Sequence, residues 1–361
     1  MIDERLHVHI LHAPPRHAFD TLLDAIDKRI DVSIGPDVPR DTAVLVAGRP
    51  SPEQLDASPQ LRTLIIPYAG VPDATRKLLL AEHSGLEVYN LHHNAAAAAE
   101  IALALLLAAA KTLIPVDRRF REHDWRSRYE GAPTLLLDGK RALILGLGAI
   151  GTRIAAACHA LGMKVTAIRA HQELPHPEFA VVHGPQDLHR LLPCADALLI
   201  AIPLTDQSLG LIGERELSAL PSHAILVNVA RGPIVVEEAL YRALVERRIG
   251  AAGIDVWYRY PETPEQRASA PPSRFPFNEL ENVVMSPHRG GAFHLEELEG
   301  EKNGGTRRNT QCACPVRVDL RSRRSRRWIL RGPSRACRFE PIAQVSATKT
   351  GSRDQSKCGM R

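Results

Sequence analysis

Long hydrophobic runs are missing from this chain. The most apolar stretch, Ala95 to Ala110, contains Glu100 and is short for a bilayer span, so no membrane segment is expected. The opening residues, MIDERLHVHI, lack the apolar core of a secretory leader, and a cytoplasmic protein is expected. Cysteine is scarce before residue 300. Only Cys158 and Cys194 occur there, and Cys158 reads as a small core residue of a helix. Cys312, Cys314, Cys337 and Cys358 fit no standard zinc spacing, so no metal is expected. Acidic residues are scarce after residue 300. That tail holds 16 of the 46 Lys and Arg but 4 of the 41 Asp and Glu. The net charge of +5 therefore comes from the tail, because residues 1–300 carry 30 basic against 37 acidic side chains. The Arg-rich run 321–327 reads as solvated charge rather than as a nucleic-acid contact.

What is present is organised around RALILGLGAIGTRIAAACHALGMKVTAIR, residues 141–169. Ala142–Leu145 is an apolar run of strand length. Gly146, Gly148 and Gly151 complete G-x-G-x-x-G, a helical period runs over Ile154–Leu161, Gly162 stops it, and Val165–Ile168 starts a second strand. Gly146 permits the tight turn, Gly148 admits a pyrophosphate to the backbone, and Gly151 lets the helix lie close to the strand. Ala149 and Ile150 fall at the helix start, where free N–H groups and the positive dipole end favour phosphate. NAD sites usually place a carboxylate after the second strand, to hold the ribose 2′-hydroxyl. Arg169 stands there instead, and a guanidinium pairs with a 2′-phosphate that a carboxylate would repel, so the cofactor is expected to be NADP or NAD with NADP favoured.

The 361 residues suit two domains, and 44% hydrophobic content suits a sizeable core. In residues 1–93, strands are expected at Leu6–Leu11, Ile30–Ile34, Ala43–Val46, Leu64–Ile66 and Leu86–Tyr89, with helices at Phe19–Lys28 and Asp73–Glu82. Pro67-Tyr68-Ala69-Gly70-Val71 follows a strand end; it is either an anion-facing turn or an ordinary strand-to-helix turn. Asn94 is expected to cap a long buried helix that carries the chain between domains. Residues 115–140 read as polar and irregular, a surface excursion or a subunit contact. Thr205, Arg231, Asp255 and His288 each follow an apolar strand. In a parallel sheet those ends share one rim, where an Arg and a His suit a substrate carboxylate and a proton donor.

YAGV, the Asn94/Glu100 helix start, GLGAIG, IPLT, NVARG, GIDV and SPH, in this order between Pro67 and Gly291, resemble the D-isomer-specific 2-hydroxyacid dehydrogenases. The resemblance implies an α/β fold of two Rossmann-like domains with parallel sheets, the nucleotide domain inserted into the substrate domain. Residues 1–93 would begin the substrate domain, 94–290 would form the nucleotide domain, and 291–361 would be an atypical C-terminal segment, poorly ordered beyond about residue 300. It implies a homodimer through the nucleotide domains. It also implies hydride transfer between nicotinamide and a small 2-oxo or 2-hydroxy acid, such as glyoxylate or hydroxypyruvate. Arg231 would grip the substrate carboxylate with help from Ala69, Gly70 and Val71, and His288 would be the general acid and base. Asp255 would contact the nicotinamide amide, with Pro203, Thr205, Ala230 and Gly290 lining the cofactor.

Two departures stand out. The family usually places a Glu beside the catalytic His in an E-P pair, but this chain has Tyr260 before Pro261. Either Tyr260 or Glu262 is expected to partner His288, and loss of the anion is expected to weaken activity, move it to lower pH or direct it at another substrate. The family's closing helix is also missing after Glu299, a change in composition that an extension or a shifted reading frame would produce. A non-catalytic NAD(P)-binding protein, or an enzyme of another small anion such as formate or phosphite, are the competing functions.

Overall fold

The computed structural model describes residues 5–14, 16–67, 70–91, 94–131 and 134–291, together with a ladder at 317–319 and 329–331. The first unit runs β1 (Leu6–Ile10), α1 (Arg16–Ala25), β2 (Ile30–Ile34), β3 (Val44–Val46), α2 (Pro52–Asp56), β4 (Thr63–Ile66), α3 (Asp73–Glu82) and β5 (Glu87–Asn90). All five strands pair in parallel, in the order β2-β1-β3-β4-β5. Interior β4 reads TLII and is buried at every position, as a strand covered on both faces must be. Ser51 starts α2 with a capping box closed by Gln54, an element the apolar pattern had not indicated.

The second unit begins with α4 (Ala95–Ala110), α5 (Leu113–Arg121) and α6 (Arg126–Tyr129). It continues with β6 (Arg141–Leu145), α7 (Ala149–Ala160), β7 (Lys164–Ile168), β8 (Ala180–His183), α8 (Leu188–Leu191) and β9 (Ala197–Ile200). Then come α9 (Glu214–Ala219), β10 (Ile225–Asn228), α10 (Glu237–Val245), β11 (Ala251–Ile254) and β12 (Val283–Met285). Seven parallel strands lie in the order β12-β11-β10-β9-β6-β7-β8. The chain winds outward from β6 in both directions, so strand order reverses between β6 and β9 and opens a crevice at their carboxyl ends.

Alternation builds two cores on this one sheet. Leu143, Leu145, Leu198, Ile200, Leu226 and Ile254 face one cluster with Leu217, Leu240 and Leu244 of α9 and α10. Ala142, Ile144, Leu199, Ile225 and Val227 face the other, with Ala102 and Leu106 of α4 and Ile154 and Cys158 of α7. Each fully buried Leu or Ile contributes roughly 1.5–3 kcal/mol. Alanine-rich α4 lies very close to β11, since a Cβ at Gly253 would come within 2.7 Å of Leu105 Cβ. Burial pushes the Cys158 thiol up to about 12, as befits an inert core residue.

Several expectations need correction. Residues 115–140 are not wholly irregular, because Leu113–Arg121 forms α5 and Arg126–Tyr129 forms α6, with Phe120 and Trp125 edge to face at 4.8 Å. The helix α1 starts earlier than Phe19 and ends at Ala25. Asn94 precedes α4 but makes no side-chain cap bond, and its Oδ1 is buried without a partner. The strand β8 was not expected. Tail strands β13 (Arg317–Asp319) and β14 (Ile329–Arg331) pair antiparallel. The rest of the tail, and any return of the chain to the first sheet, lie outside the described residues. Among the described residues no single helix is long and apolar enough to cross a membrane.

Candidate active site

Leu145 ends β6, and the chain turns at Gly146 with φ +99°, a conformation that favours glycine. A Cβ at Gly146 would also meet Ala201 O at 2.7 Å. A Cβ at Gly151 would collide with Gly146 O, so only glycine lets α7 begin this close to the strand. Gly148 is different: nothing lies within 4 Å of a Cβ built there. Its backbone faces open space at the exposed start of α7, with Ala149 exposed and Ile150 partly so. The residues therefore fit a dinucleotide. Gly148 leaves room for a pyrophosphate, and the amides that open the 12-residue helix supply its donors.

Arg169 directly follows β7 and is half-buried. Its amide donates to His183 O at 3.0 Å, and its Nη1 reaches Pro175 O at 3.4 Å. Pro203–Thr205 follow β9. Ser208 holds this loop: its Oγ donates to Pro203 O at 2.7 Å and accepts from Thr205 N at 2.7 Å.

Arg231 follows β10 on a loop stapled by Asn228. The Asn228 Oδ1 accepts from Ala230 N at 3.0 Å, and its Nδ2 donates to Arg231 O at 3.0 Å. Arg231 Nη1 donates to Ala230 O at 2.6 Å. The guanidinium reaches across to the first unit and packs on Gly70, where a Cβ would overlap its Nη2. Val71 is partly buried against the core of the first sheet. Tyr68 and Ala69 lie outside the described residues. The next residue, Gly232, sits against the Trp257 carbonyl so closely that a Cβ would collide with it.

Asp255 directly follows β11, is 1% exposed, and holds the loop after β12. Its Oδ1 accepts from Ser286 Oγ at 2.5 Å and Arg289 N at 2.8 Å, and its Oδ2 from Gly290 N at 2.8 Å. Gly290 must be small, because a Cβ would stand 2.7 Å from Asp255 Oδ2. His288 lies inside this clamped loop with φ +57°, rare for a residue with a side chain. It opens to solvent at the rim, yet the protein packed around its ring, then the charge of Arg231, push its pKa below the ordinary value; Asp255 acts the other way.

Tyr260 lies beside His288, with ring centroids 5.5 Å apart. Its hydroxyl accepts from Trp257 N at 3.0 Å. Burial raises its pKa. Glu262 is exposed, its amide donates to Gln266 Oε1 at 2.8 Å, and no contact between it and His288 occurs among the described residues. Among the described residues no hydrogen bond reaches the His288 imidazole. The strand-end rim thus brings together Arg231, Asp255 and His288, with Thr205 on the loop that follows β9 at the same edge of the sheet. Asn228, Ser208, Ser286 and Trp257 support it and were not read from the sequence. Asn228 had a signal, a polar residue ending a buried strand; Ser208 had none.

Comparison with known proteins places this geometry. Residues 103–290 match the family model for the D-isomer specific 2-hydroxyacid dehydrogenase, NAD binding domain. The chain is 33% identical over 268 residues to a D-3-phosphoglycerate dehydrogenase of Archaeoglobus fulgidus, a match covering 73% of this chain but about half, 48%, of that protein. It is 30% identical over 310 residues to a glyoxylate reductase of Thermococcus gammatolerans, covering 79% of this chain and 86% of that protein. In fold it resembles a D-isomer specific 2-hydroxyacid dehydrogenase from Xanthobacter autotrophicus Py2, with TM-score 0.65 and 23% identity over 80% of this chain and 89% of that one. The chain belongs to the D-isomer specific 2-hydroxyacid dehydrogenase family.

Proposed function

We propose that this chain is an NAD(P)-dependent oxidoreductase of a small 2-oxo/2-hydroxy acid pair, of glyoxylate or hydroxypyruvate size, with NADP preferred. The observation that carries this reading is the meeting of Arg231 and His288 on one rim, opposite the backbone at Gly70. The Arg231 fork matches a carboxylate bidentately, and amides of Ala69, Gly70 and Val71 supplement it. When bound, the nicotinamide supplies or accepts the hydride. In reduction His288 gives its proton to the ketone oxygen, and in oxidation it takes the hydroxyl proton. Gly146, Gly148, Ala149, Ile150 and Gly151 would hold the pyrophosphate, and Arg169 the 2′-phosphate. Pro203, Thr205, Ala230, Asp255 and Gly290 would line the nicotinamide side. Residues 1–93 serve as the substrate unit and 94–290 as the nucleotide unit. Exposed Leu113, Phe120, Trp125 and Tyr129, on α5, on α6 and between them, support a homodimer through the second unit, which sedimentation reads directly.

The test follows NADPH and NADH oxidation with glyoxylate, hydroxypyruvate, pyruvate and phenylpyruvate, beside His288→Ala. Turnover is expected with NADPH above NADH, and a fall of about 100-fold or more in the variant. Folded protein that binds NADPH without turnover of any acid favours the second reading, a non-catalytic NAD(P)-binding protein. That reading draws on the His288 imidazole, which no hydrogen bond reaches among the described residues.

A further inference from the structure

The geometry points to Trp257 and Tyr260 as positioning residues for His288, a neutral aromatic latch that aims the imidazole through its backbone and its ring face. This rests on the reading of His288 as the proton carrier.

The loop 286–290 is gripped at both ends of the histidine. On the near side, the Trp257 indole Nε1 donates to Ser286 O at 2.8 Å, while Ser286 Oγ donates to Asp255. On the far side, Arg289 N and Gly290 N donate to the same carboxylate. A left-handed residue with a side chain persists only where its surroundings over-determine it, and these four bonds do so for His288. Trp257 is itself fixed: it is 4% exposed and meets the Phe277 ring edge-on at 5.9 Å. Its main-chain amide holds the Tyr260 hydroxyl, and that bond sets the Tyr260 ring beside the imidazole. Its carbonyl receives Gly232, the neighbour of Arg231. One tryptophan thus links the carboxylate-gripping loop, the tyrosine and the histidine loop.

The latch has a chemical consequence. The charged and titratable groups that face the imidazole are Arg231, Asp255 and Tyr260, with Arg289 next in the chain. Asp255 is occupied by the loop's own donors, Arg231 disfavours a second cation, and the Tyr260 hydroxyl is committed to Trp257. Among the described residues no carboxylate is hydrogen-bonded to the imidazole; Asp255 favours its charged form without a direct bond, and the surrounding protein and Arg231 outweigh it. Proton donation, which needs imidazolium, falls off as pH rises through a low midpoint, whereas proton abstraction by the neutral ring persists at neutral pH and above.

The experiment titrates histidine-labelled full-length protein by NMR, with His288→Ala identifying the resonance. Tyr260→Glu is expected to raise the His288 midpoint by about one pH unit, and Tyr260→Phe, which keeps the ring, to leave it within about 0.3. An unchanged midpoint in Tyr260→Glu overturns the latch at Tyr260. Trp257→Phe keeps a core ring but loses the indole N–H. It is expected to lower kcat about tenfold with KM for the 2-oxo acid within about twofold, since Arg231 is untouched. Wild-type kcat in that variant, or a fall confined to KM, overturns the role of Trp257. If the wild type turns over no acid, the proposed function fails, and the titration still decides the latch.

Discussion

The inner strands of the seven-stranded sheet are buried on both faces by large clusters that alternate along them, whereas the five-stranded sheet carries two small clusters. The two sheets contribute differently to the candidate site. The larger one presents Arg231, Asp255 and His288 as side chains, each on a loop fastened by side-chain-to-backbone bonds. The smaller one presents backbone at Gly70. A side chain must be aimed within fractions of an ångström, which takes a rigid platform and a supporting shell. A main-chain amide needs only a turn at a strand end.

The largest expected effect falls where the two sheets meet. Arg231→Ala should cut kcat/KM for the 2-oxo acid by about 1,000-fold, because a charged bidentate contact has no replacement. Gly70→Ala probes the same seam from the other side. Its Cβ would displace only the flexible end of Arg231, so KM should rise while the melting temperature barely changes. A Gly70→Ala variant with wild-type KM would show that the smaller sheet contributes nothing to the grip.

A second comparison lies inside the glycine loop. Gly151→Ala drives a Cβ into the Gly146 carbonyl and should destabilise the second unit by about 2–3 kcal/mol, read by chemical denaturation. Gly148→Ala meets open space and should leave stability nearly unchanged while weakening NADPH binding, read by fluorescence titration. Equal losses of stability in both variants would break the assignment of Gly148 to the cofactor.

The smallest effect is expected at the opposite end of the larger sheet. Asp196 accepts from Arg141 N at 2.7 Å and pairs with His223 Nε2 at 2.6 Å. Burial pushes its carboxyl up, but these bonds outweigh that and hold it below the usual range. Its contribution is therefore present above the ordinary Asp value and lost as pH falls through the lower folded value. Asp196→Ala should cost about 1–2 kcal/mol at neutral pH by orphaning the Arg141 amide, with the difference closing in acid. A difference that stays constant down to strong acid would refute the ion-pair origin of the effect.

Much of this was legible along the chain. Apolar runs at Ala142–Leu145 and Val165–Ile168 became β6 and β7, and Gly162 ends α7 with φ +80°. These are local effects of burial, period and backbone freedom, so adjacent residues suffice to show them. Where burial did not set the pattern, the reading failed. The helix α5 has no buried residue, and its charged face hid its period.

By itself, the sequence determined two parallel α/β units, a glycine turn shaped for a dinucleotide, and an Arg and a His at strand ends. Strand direction puts every such end on one rim, whatever the distance along the chain. Only the tertiary structure decided what those residues lean on. The Asp255 carboxylate is spent on the His288 loop, Trp257 ties that loop to Gly232 and Tyr260, and the Glu262 amide bonds to Gln266. Such choices depend on which donors and rings meet across residues far apart in sequence, and no local pattern encodes a contact between two loops.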